Sequence, residues 1–269
     1  IKSKIKKVFY SISDTDKRTA NKAYPLLKSK KIIVSKGLLK SEAKKIYKNY
    51  FLHKNIKKPY VAAKIACSND YFISSKNKFI TNNNSRNVSH LLRYNFDSIL
   101  VSSKTANSDN SKLTCRINGL EKHSPRRLII DKNLKINNNL PIVNDERKYN
   151  TIIFHSSKNK KKINLLRLKG IKLNYIELDR NNNMNLKKVF SKAYSAGIGS
   201  IIIEGGRTLT KSLLSENLIN EFYLFKSKKN LGKLGRINFS DLKKYINYSF
   251  NKKENIETFL DGDKLTRYY

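Results

Sequence analysis

The sequence predicts an α/β protein built around a largely parallel sheet. Short runs of β-branched and aromatic residues recur along the chain, and such runs are typical of buried strands. Between them, apolar residues recur with the spacing of one helix face. Strands that alternate with helices of about ten residues indicate a parallel sheet, because parallel strands need a crossover connection and a helix usually supplies it.

The predicted elements follow one another in a regular order. The strands are expected at 61–66, 98–102, 127–131, 151–155, 172–178, 200–204 and 221–225. Three helices are marked by apolar stripes that comprise Val88, Leu91 and Leu92, then Leu186, Val189, Phe190 and Tyr194, then Leu209, Leu213, Leu214 and Leu218. Residues 245–269 are expected to add short strands at an antiparallel edge.

The first part of the chain has a different character. It offers possible strands at 8–12 and 31–37 and a helix at 41–51, which is too little apolar sequence to bury a core of its own. We expect residues 1–57 to be the remnant of an upstream domain, with a linker at 52–59, and residues 58–269 to form the main domain. The first residue is Ile1, and a further N-terminal portion is expected before it.

The composition argues against several classes of function. Lys and Arg number 57 against 20 acidic residues, for a formal charge of +37, yet the positive residues are scattered and no aromatic and glycine RNA motif occurs. Enrichment in Lys, Asn, Ile and Tyr indicates a base-composition bias rather than a nucleic-acid partner. Cys67 and Cys115 lie in no metal-ligand spacing, and no apolar run is long enough for a membrane span. We expect a cytoplasmic protein without a metal, a membrane or a nucleic-acid partner.

The segment 200–214 holds the most informative motif. A strand runs into Glu204, two glycines follow, and a helix begins near Arg207. Glycine lets the backbone approach a ligand closely, and the free N–H groups at a helix N-terminus suit phosphate. Glu204 would lie at the carboxyl end of a parallel strand, where open α/β sheets bind their ligands. An ordinary strand, turn and helix remains an equal alternative for this motif alone.

Two further segments hold polar side chains in positions that could face a ligand. After the strand at 98–102, the segment to 116 is expected to be a polar loop whose hydroxyl groups and Arg116 could hold an anion. Lys64 alternates with apolar residues in the strand at 61–66. Taken singly, a solvated loop and a solvated lysine explain these two features better.

In combination, the motifs resemble the reductase domain of the bifunctional riboflavin-biosynthesis deaminase/reductase family. The resemblance covers about 58–235 and rests on six motifs in the same order, namely KPYVAAKIACSNDY, KFIT, Arg93, TANSDNSKLTCR, LIIDKN and IEGGRTL. Residues 8–58 look like the end of that family's deaminase domain and its linker. The deaminase's zinc signature does not occur in the sequence, so deaminase chemistry and zinc are expected only in a domain outside this chain.

The resemblance implies a dihydrofolate-reductase-like fold, with a central mixed sheet flanked by helices, in a homodimer. It implies reduction of 5-amino-6-(5-phosphoribosylamino)uracil, a small phosphorylated pyrimidine, to the ribitylamino compound by NADPH. Glu204 and Lys64 would be catalytic. The substrate-binding residues implied are Asn77, Arg93, Leu113, Arg116 and Glu204. The cofactor-binding residues implied are Ala66, Phe79, Thr105, Asp109, Lys132, Gly206, Arg207, Thr208, Leu209, Thr210, Lys211 and Ser212.

Some positions depart from the family pattern. Tyr71 replaces a glycine, Phe79 replaces a tryptophan, Lys132 replaces a small polar residue, and the segment 70–79 is about three residues short. Phe79 keeps a stacking face, but a tyrosine is strained if its turn needs a positive φ. Two other functions stay open, namely a reductase of the same fold that acts on another pyrimidine or pteridine, and a diverged non-enzymatic protein that binds nucleotides or nucleic acid.

Overall fold

The computed structural model describes residues 4–16, 18–75 and 79–269 and divides the chain into two compact units. The first unit is Ile1–Tyr60 and the second is Val61–Tyr269.

The first unit is small. Its strands β1 (Lys7–Tyr10) and β2 (Ile33–Lys36) pair in parallel, and its helices are α1 (Ala23–Ser29), α2 (Lys40–Ile46) and α3 (Lys48–Ile56). The single helix expected at 41–51 is thus two helices, and residues 52–56, expected in a linker, belong to α3. The sequence did not reveal α1 because this helix buries none of its residues and so has no apolar stripe.

The second unit contains the large sheet. Its strands and helices alternate as expected and are β3 (Tyr60–Cys67), β4 (Phe72–Ser75), α4 (Asn83–Tyr94), β5 (Ser98–Ser102), α5 (Ser103–Asp109), β6 (Arg126–Ile130), α6 (Pro141–Asn144), β7 (Thr151–His155), α7 (Lys160–Leu168), β8 (Lys172–Tyr175), α8 (Leu186–Ser195), β9 (Ser200–Ile203), α9 (Arg207–Ser215), β10 (Glu221–Lys226), β11 (Gly235–Asn238), α10 (Leu242–Ser249), β12 (Lys253–Asn255) and β13 (Lys264–Tyr268).

Nine strands form one mixed sheet in the order β12-β13-β10-β3-β9-β5-β6-β7-β8. The pairs β10–β3, β9–β5, β5–β6, β6–β7 and β7–β8 are parallel. Strand β13 runs antiparallel to both β10 and β12, which confirms the antiparallel edge expected from the tail. The predicted α/β fold with a central mixed sheet is therefore confirmed.

The burial of the central strands explains why they could be predicted from the sequence. Central strands are covered on both faces, so their sequences are nearly continuous apolar runs rather than alternating ones. Leu100, Leu128, Phe154 and Ile201 are fully buried. Helices α8 and α9 add their apolar stripes to the same core.

Several parts of the chain differ from the prediction, and helices α6 and α7 and strands β4 and β11 were not expected. Residues 103–109, expected within a polar loop, form α5, which begins when Ser102 Oγ accepts a hydrogen bond from the Thr105 N–H at 3.2 Å. Residues 245–249, expected as part of a strand, lie in α10. That helix buries Leu242 and Ile246, four residues apart, on one face.

The carboxyl ends of β9, β5 and β6 lie side by side because these strands are parallel neighbours. Glu204 follows β9, and its N–H donates to the Leu100 carbonyl at 3.0 Å. Asp131 follows β6 and is buried, and it accepts from the Lys135 and Ile136 N–H groups at 2.8 and 2.7 Å. The role of Asp131 in this motif is therefore to hold the loop after β6.

Tyr71 adopts the left-handed conformation, with a φ of 66°. A non-glycine residue there costs on the order of 1–2 kcal/mol. The ring of Tyr71 packs against Phe239, with centroids 6.0 Å apart, and the ammonium groups of Lys226 and Lys243 lie 4.5 and 4.6 Å from its centroid. Each cation–π contact contributes about 0.5–1 kcal/mol, which offsets the backbone cost.

Arg127 and Asp145 give a test of the core. The guanidinium of Arg127 is 1% exposed and donates to the two Asp145 carboxylate oxygens at 2.8 and 2.6 Å. We expect Asp145→Ala to lower the free energy of unfolding by about 3–5 kcal/mol, because it leaves a buried charge unpaired. Arg127→Met should cost clearly less, because it removes the buried charge and leaves unpaired only the Asp145 carboxylate, which is 23% exposed and can be solvated. Urea denaturation measures both, and a larger loss in Arg127→Met would contradict this account.

Candidate active site

Three of the predicted site residues meet at the end of β9. Glu204 accepts from Arg93 Nε at 2.6 Å and from Arg93 Nη2 at 3.0 Å, in a two-pronged ion pair. Lys64 Nζ lies 3.5 Å from Glu204 Oε2. The three side chains come from the end of β9, from α4 and from β3, and each is less than one-sixth exposed. The fold thus joins residues that are far apart in the sequence.

The charges of this cluster stabilise one another. Burial alone raises the pKa of the Glu204 carboxyl, but the positive charges of Arg93 and Lys64 outweigh it and hold that pKa well below its usual range. Burial alone lowers the pKa of Arg93, but the negative charge of Glu204 outweighs this effect and raises that pKa above its usual value. Glu204 is therefore a permanent carboxylate, suited to accepting hydrogen bonds and unsuited to donating a proton.

His90 and Arg116 extend the cluster toward solvent. His90 is buried on α4, and its Nε2 accepts from Arg116 Nε at 3.2 Å. Burial, followed by the charges of Arg93 and Arg116, lowers the pKa of His90 to about 4. Arg116 is exposed, and within the described ranges no carboxylate oxygen lies within 4 Å of it. The Arg116 guanidinium is thus held by His90, but in the described ranges it has no carboxylate partner.

The segment after α5 fixes the position of these arginines. The Thr114 carbonyl accepts from Arg93 Nη1 at 2.9 Å. Leu113, before it, is buried and has a φ of 53°, so the chain turns back here toward α4. The expected role of Leu113 in packing a substrate ring stays a prediction.

The N-terminus of α9 is the second part of the site. No side chain caps this nine-residue helix, so its first N–H groups are available. A Cβ built on Gly206 would meet only Thr105 Oγ1, at 3.7 Å, which leaves the space before the helix open. Neither Gly205 nor Gly206 has a positive φ. At Gly205 a Cβ would lie 3.1 Å from the Leu209 side chain, so close packing explains that glycine, whereas at Gly206 neither packing nor an unusual turn requires one.

The other expected cofactor residues fall into two groups. On and near α9, Arg207 pairs with Asp241 at 2.6 Å, Lys211 Nζ lies 5.6 Å from the Tyr245 ring centroid, and Thr210 is buried. The remaining expected positions on this helix are Thr208, Leu209 and Ser212, of which Thr208 is exposed.

The second group lies on other elements. Ala66 packs against a small apolar cluster, and the exposed Phe79 ring has the Arg86 guanidinium 4.3 Å from its centroid. Asp109 accepts from the Ser108 hydroxyl at 2.8 Å, and Lys132 Nζ donates to the Asn182 carbonyl. No hydrogen bond or ion pair in the described part of the chain joins Asp109 or Lys132 to Gly206. Asn77 lies outside the described residues.

The sequence prediction overlooked His90. Its position three residues before Arg93 on a predicted helix places both side chains on one face. That spacing was the available signal, but the contact with Arg116 depends on a segment that follows much later in the chain.

The described ranges hold neither a cluster of metal ligands nor a helix that could span a membrane. They contain no group of three or more His, Cys, Asp or Glu side chains that could hold a metal ion. None of their helices combines the length and the apolarity that a membrane crossing requires.

The chain is similar to known proteins of riboflavin biosynthesis. A family model described as the RibD C-terminal domain matches residues 59–259. The riboflavin biosynthesis protein RibD of Aquifex aeolicus is 27% identical over 263 residues, covering 95% of this chain and 71% of that protein. RibD of Actinobacillus pleuropneumoniae is 28% identical over 231 residues, covering 85% of this chain and 61% of that protein. The structure of Acinetobacter baumannii RibD superimposes with a TM-score of 0.81 at 22% identity, covering 99% of this chain and 73% of that one.

His90 provides a test by pH. Its pKa of about 4 in the folded protein lies below the value of about 6.5 in an unfolded chain. As the pH falls from about 6.5 to about 4, the unfolded chain binds this proton first, so the free energy of unfolding decreases across that window by up to about 3 kcal/mol. Arg93, Arg116 and Glu204 are the charged groups that act on the ring.

We expect His90→Gln to lose this component, so that its stability declines less than that of the original protein between pH values of about 7 and about 4.5. Urea denaturation across this range measures the difference. His123→Gln, at an exposed histidine on the surface, is the matched control. Parallel curves for the original protein and His90→Gln would contradict the low pKa of His90.

Proposed function

The chain belongs to the RibD C-terminal domain family of riboflavin-biosynthesis enzymes, and we propose that it reduces 5-amino-6-(5-phosphoribosylamino)uracil with NADPH. When bound, the cofactor supplies a hydride to C1′ of the opened ribosyl group. The nitrogen attached to C1′ takes up one proton, so that the products are the ribitylamino compound and NADP⁺. The observation that supports this proposal best is the cluster of Lys64, Arg93 and Glu204. Beside it lies Arg116, which forms no ion pair with a carboxylate of the described residues.

In this proposal Glu204 orients the pyrimidine. A carboxylate has about four acceptor positions, and three of them are used by Arg93 and Lys64. The position left on Oε1 can accept from an N–H group of the uracil ring. Because Arg93 holds the carboxylate at two points, this acceptor has a fixed direction, and a fixed direction is what positions a reacting group.

Arg116 is the residue that we assign to the substrate phosphate. The family resemblance implied that both Arg93 and Arg116 contact the substrate. Arg93, however, donates from all three of its nitrogens to Glu204 and to the Thr114 carbonyl and is only 11% exposed. Arg116 is exposed and keeps both terminal nitrogens for an anion, which suits two-pronged phosphate binding.

The residues near α9 fit a nucleotide phosphate. The uncapped helix N-terminus, the open space at Gly206 and the Thr105 hydroxyl together form a phosphate cradle. We assign Thr105, Gly206 and the first turn of α9 to the cofactor. Ala66, Phe79, Asp109 and Lys132 stay predicted contacts.

Lys64 is the proton donor that we assign. Its ammonium group lies next to Glu204 Oε2, so a proton can be delivered beside the ring that Glu204 holds. Glu204 cannot take this role, because its pKa is held below the usual range and it has no proton to give at neutral pH.

The broader assembly is also a proposal. The chain spans about three-fifths to three-quarters of the relatives described above. We propose that residues 1–57 correspond to the end of a deaminase domain, that residues 58–269 form the reductase domain, and that the enzyme is a cytoplasmic homodimer.

An absorbance assay tests the proposed reaction. The purified protein is mixed with NADPH and the phosphoribosylaminouracil, and loss of the NADPH absorption band is followed together with formation of the ribitylamino product. Product in a one-to-one ratio with oxidised NADPH supports the proposal. Absence of turnover, with NADPH binding also absent in a direct titration, would refute it.

Glu204→Gln tests the orienting role. We expect the turnover number to fall about a hundredfold, the order expected when a reacting group is misplaced, while the dissociation constant for NADPH changes little. Glu177→Gln is the matched control, since Glu177 is an exposed glutamate paired with Lys188 on the surface. Equal losses of turnover and of NADPH affinity in Glu204→Gln would contradict this role.

Gly206→Val tests the phosphate cradle. We expect the dissociation constant for NADPH to rise at least tenfold, or about 1.4 kcal/mol, because the side chain would fill the space before α9. Ser215→Val, at the far end of the same helix, controls for placing a β-branched residue in α9. A dissociation constant that stays at the original value would remove the argument for a cradle.

A further inference from the structure

We propose that His90 is a positioning residue, whose Nε2 holds the Arg116 guanidinium so that its two terminal nitrogens face the phosphate of the substrate. This inference rests on the proposed function for the identity of the substrate. His90 itself is not assigned to touch substrate or cofactor, and it acts through Arg116.

The hydrogen bonds determine which ring nitrogen carries the proton. Arg116 Nε can only donate, so His90 Nε2, at 3.2 Å from it, must be the unprotonated acceptor. The proton of the neutral ring then lies on Nδ1. The Thr114 carbonyl, which accepts from Arg93 Nη1 at 2.9 Å, acts to raise the pKa of His90, against burial and the two arginines. Arg93 Nη1 lies 3.5 Å from Nδ1 and can also only donate, so the shorter contact, from Arg116 to Nε2, decides in favour of Nε2 as the acceptor.

The surroundings keep His90 in the neutral form that this contact needs. The ring is 7% exposed, and Arg93 Nη1 lies 3.5 Å from Nδ1 on one side while Arg116 lies on the other. A charged imidazolium between two guanidinium groups would be strongly disfavoured. Glu204 acts in the opposite sense but is already paired with Arg93. His90 is thus a rigid neutral acceptor.

The effect on Arg116 follows from the shape of the guanidinium group. This group is planar, and fixing its Nε direction also fixes the plane and direction of Nη1 and Nη2. Arg116 has a long side chain in an exposed position and, in the part of the chain that the structure describes, His90 is its one hydrogen-bond partner. Without this partner, the side chain would have to lose its rotamer freedom when the phosphate binds, which weakens binding.

Three variants separate this role from a merely structural one. In Gln the side-chain amide oxygen can occupy the position of His90 Nε2, whereas the shorter side chain of Asn can place its amide only at the position of Nδ1. His90→Gln should therefore keep the acceptor for Arg116, and His90→Asn and His90→Leu should lose it. His123→Gln is the matched control at a surface histidine.

The readout is the Michaelis constant for the phosphorylated substrate and for the same compound without its phosphate. We expect His90→Asn and His90→Leu to raise KM for the phosphorylated substrate about tenfold, the size expected for one hydrogen bond to a charged group. Their kcat, their NADPH affinity and their KM for the unphosphorylated compound should stay within about twofold of the original. His90→Gln should resemble the original protein. If His90→Leu fails to fold, the Gln and Asn variants decide the question.

Several outcomes would overturn the proposal. They are an unchanged KM in His90→Asn, an equal rise in KM for both substrates, and equal defects in the Gln and Asn variants. If the original protein shows neither turnover nor NADPH binding, the proposed function fails by itself. Calorimetric titration with ribose 5-phosphate and with ribose then decides on His90, because the variants should weaken only the binding of ribose 5-phosphate.

Discussion

The ion pair between Arg93 and Glu204 is the interaction on which the candidate site depends. A carboxylate at the end of β9 is nearly buried, and such a charge is tolerated only with partners that neutralise it and satisfy its acceptors. Arg93 does both from α4, and Lys64 adds a second positive charge from β3. Together, the three side chains connect α4 with β9 and β3, which are neighbouring strands of the sheet.

The parallel sheet determines where this point lies. Strands β3, β9, β5 and β6 are neighbours, and the segments that follow β9, β5 and β6 meet at one edge. Glu204, the N-terminus of α9 and Thr105 at the start of α5 are brought together by this arrangement. One side of the edge presents a carboxylate and held arginines, and the other presents an uncapped helix N-terminus. The two sides therefore differ in charge and geometry.

Local strain is balanced by packing in the same unit. Tyr71 occupies a left-handed turn that suits glycine, and its ring is in contact with two lysine ammonium groups and with Phe239. Asp70, next to it, accepts from the Leu231 and Gly232 N–H groups and so ties the turn to the segment after β10. A residue that looks out of place in the sequence is thus well supported in the fold.

The sequence by itself determined the alternation of strands and helices, the antiparallel edge and the identity of most candidate residues. Buried parallel strands and helix stripes leave periodic apolar patterns, and the ordered motifs could be matched to a family. Helices α1, α5, α6 and α7 were not predicted, because short, exposed or polar helices leave no such pattern. Only the tertiary structure decided that Arg93 is committed to Glu204, that Arg116 is left for an anion, and that His90 lies between them. These facts depend on distances between side chains from α4, from the segment after α5 and from the end of β9. The order of residues along the chain does not show which of several basic side chains pairs with a given carboxylate.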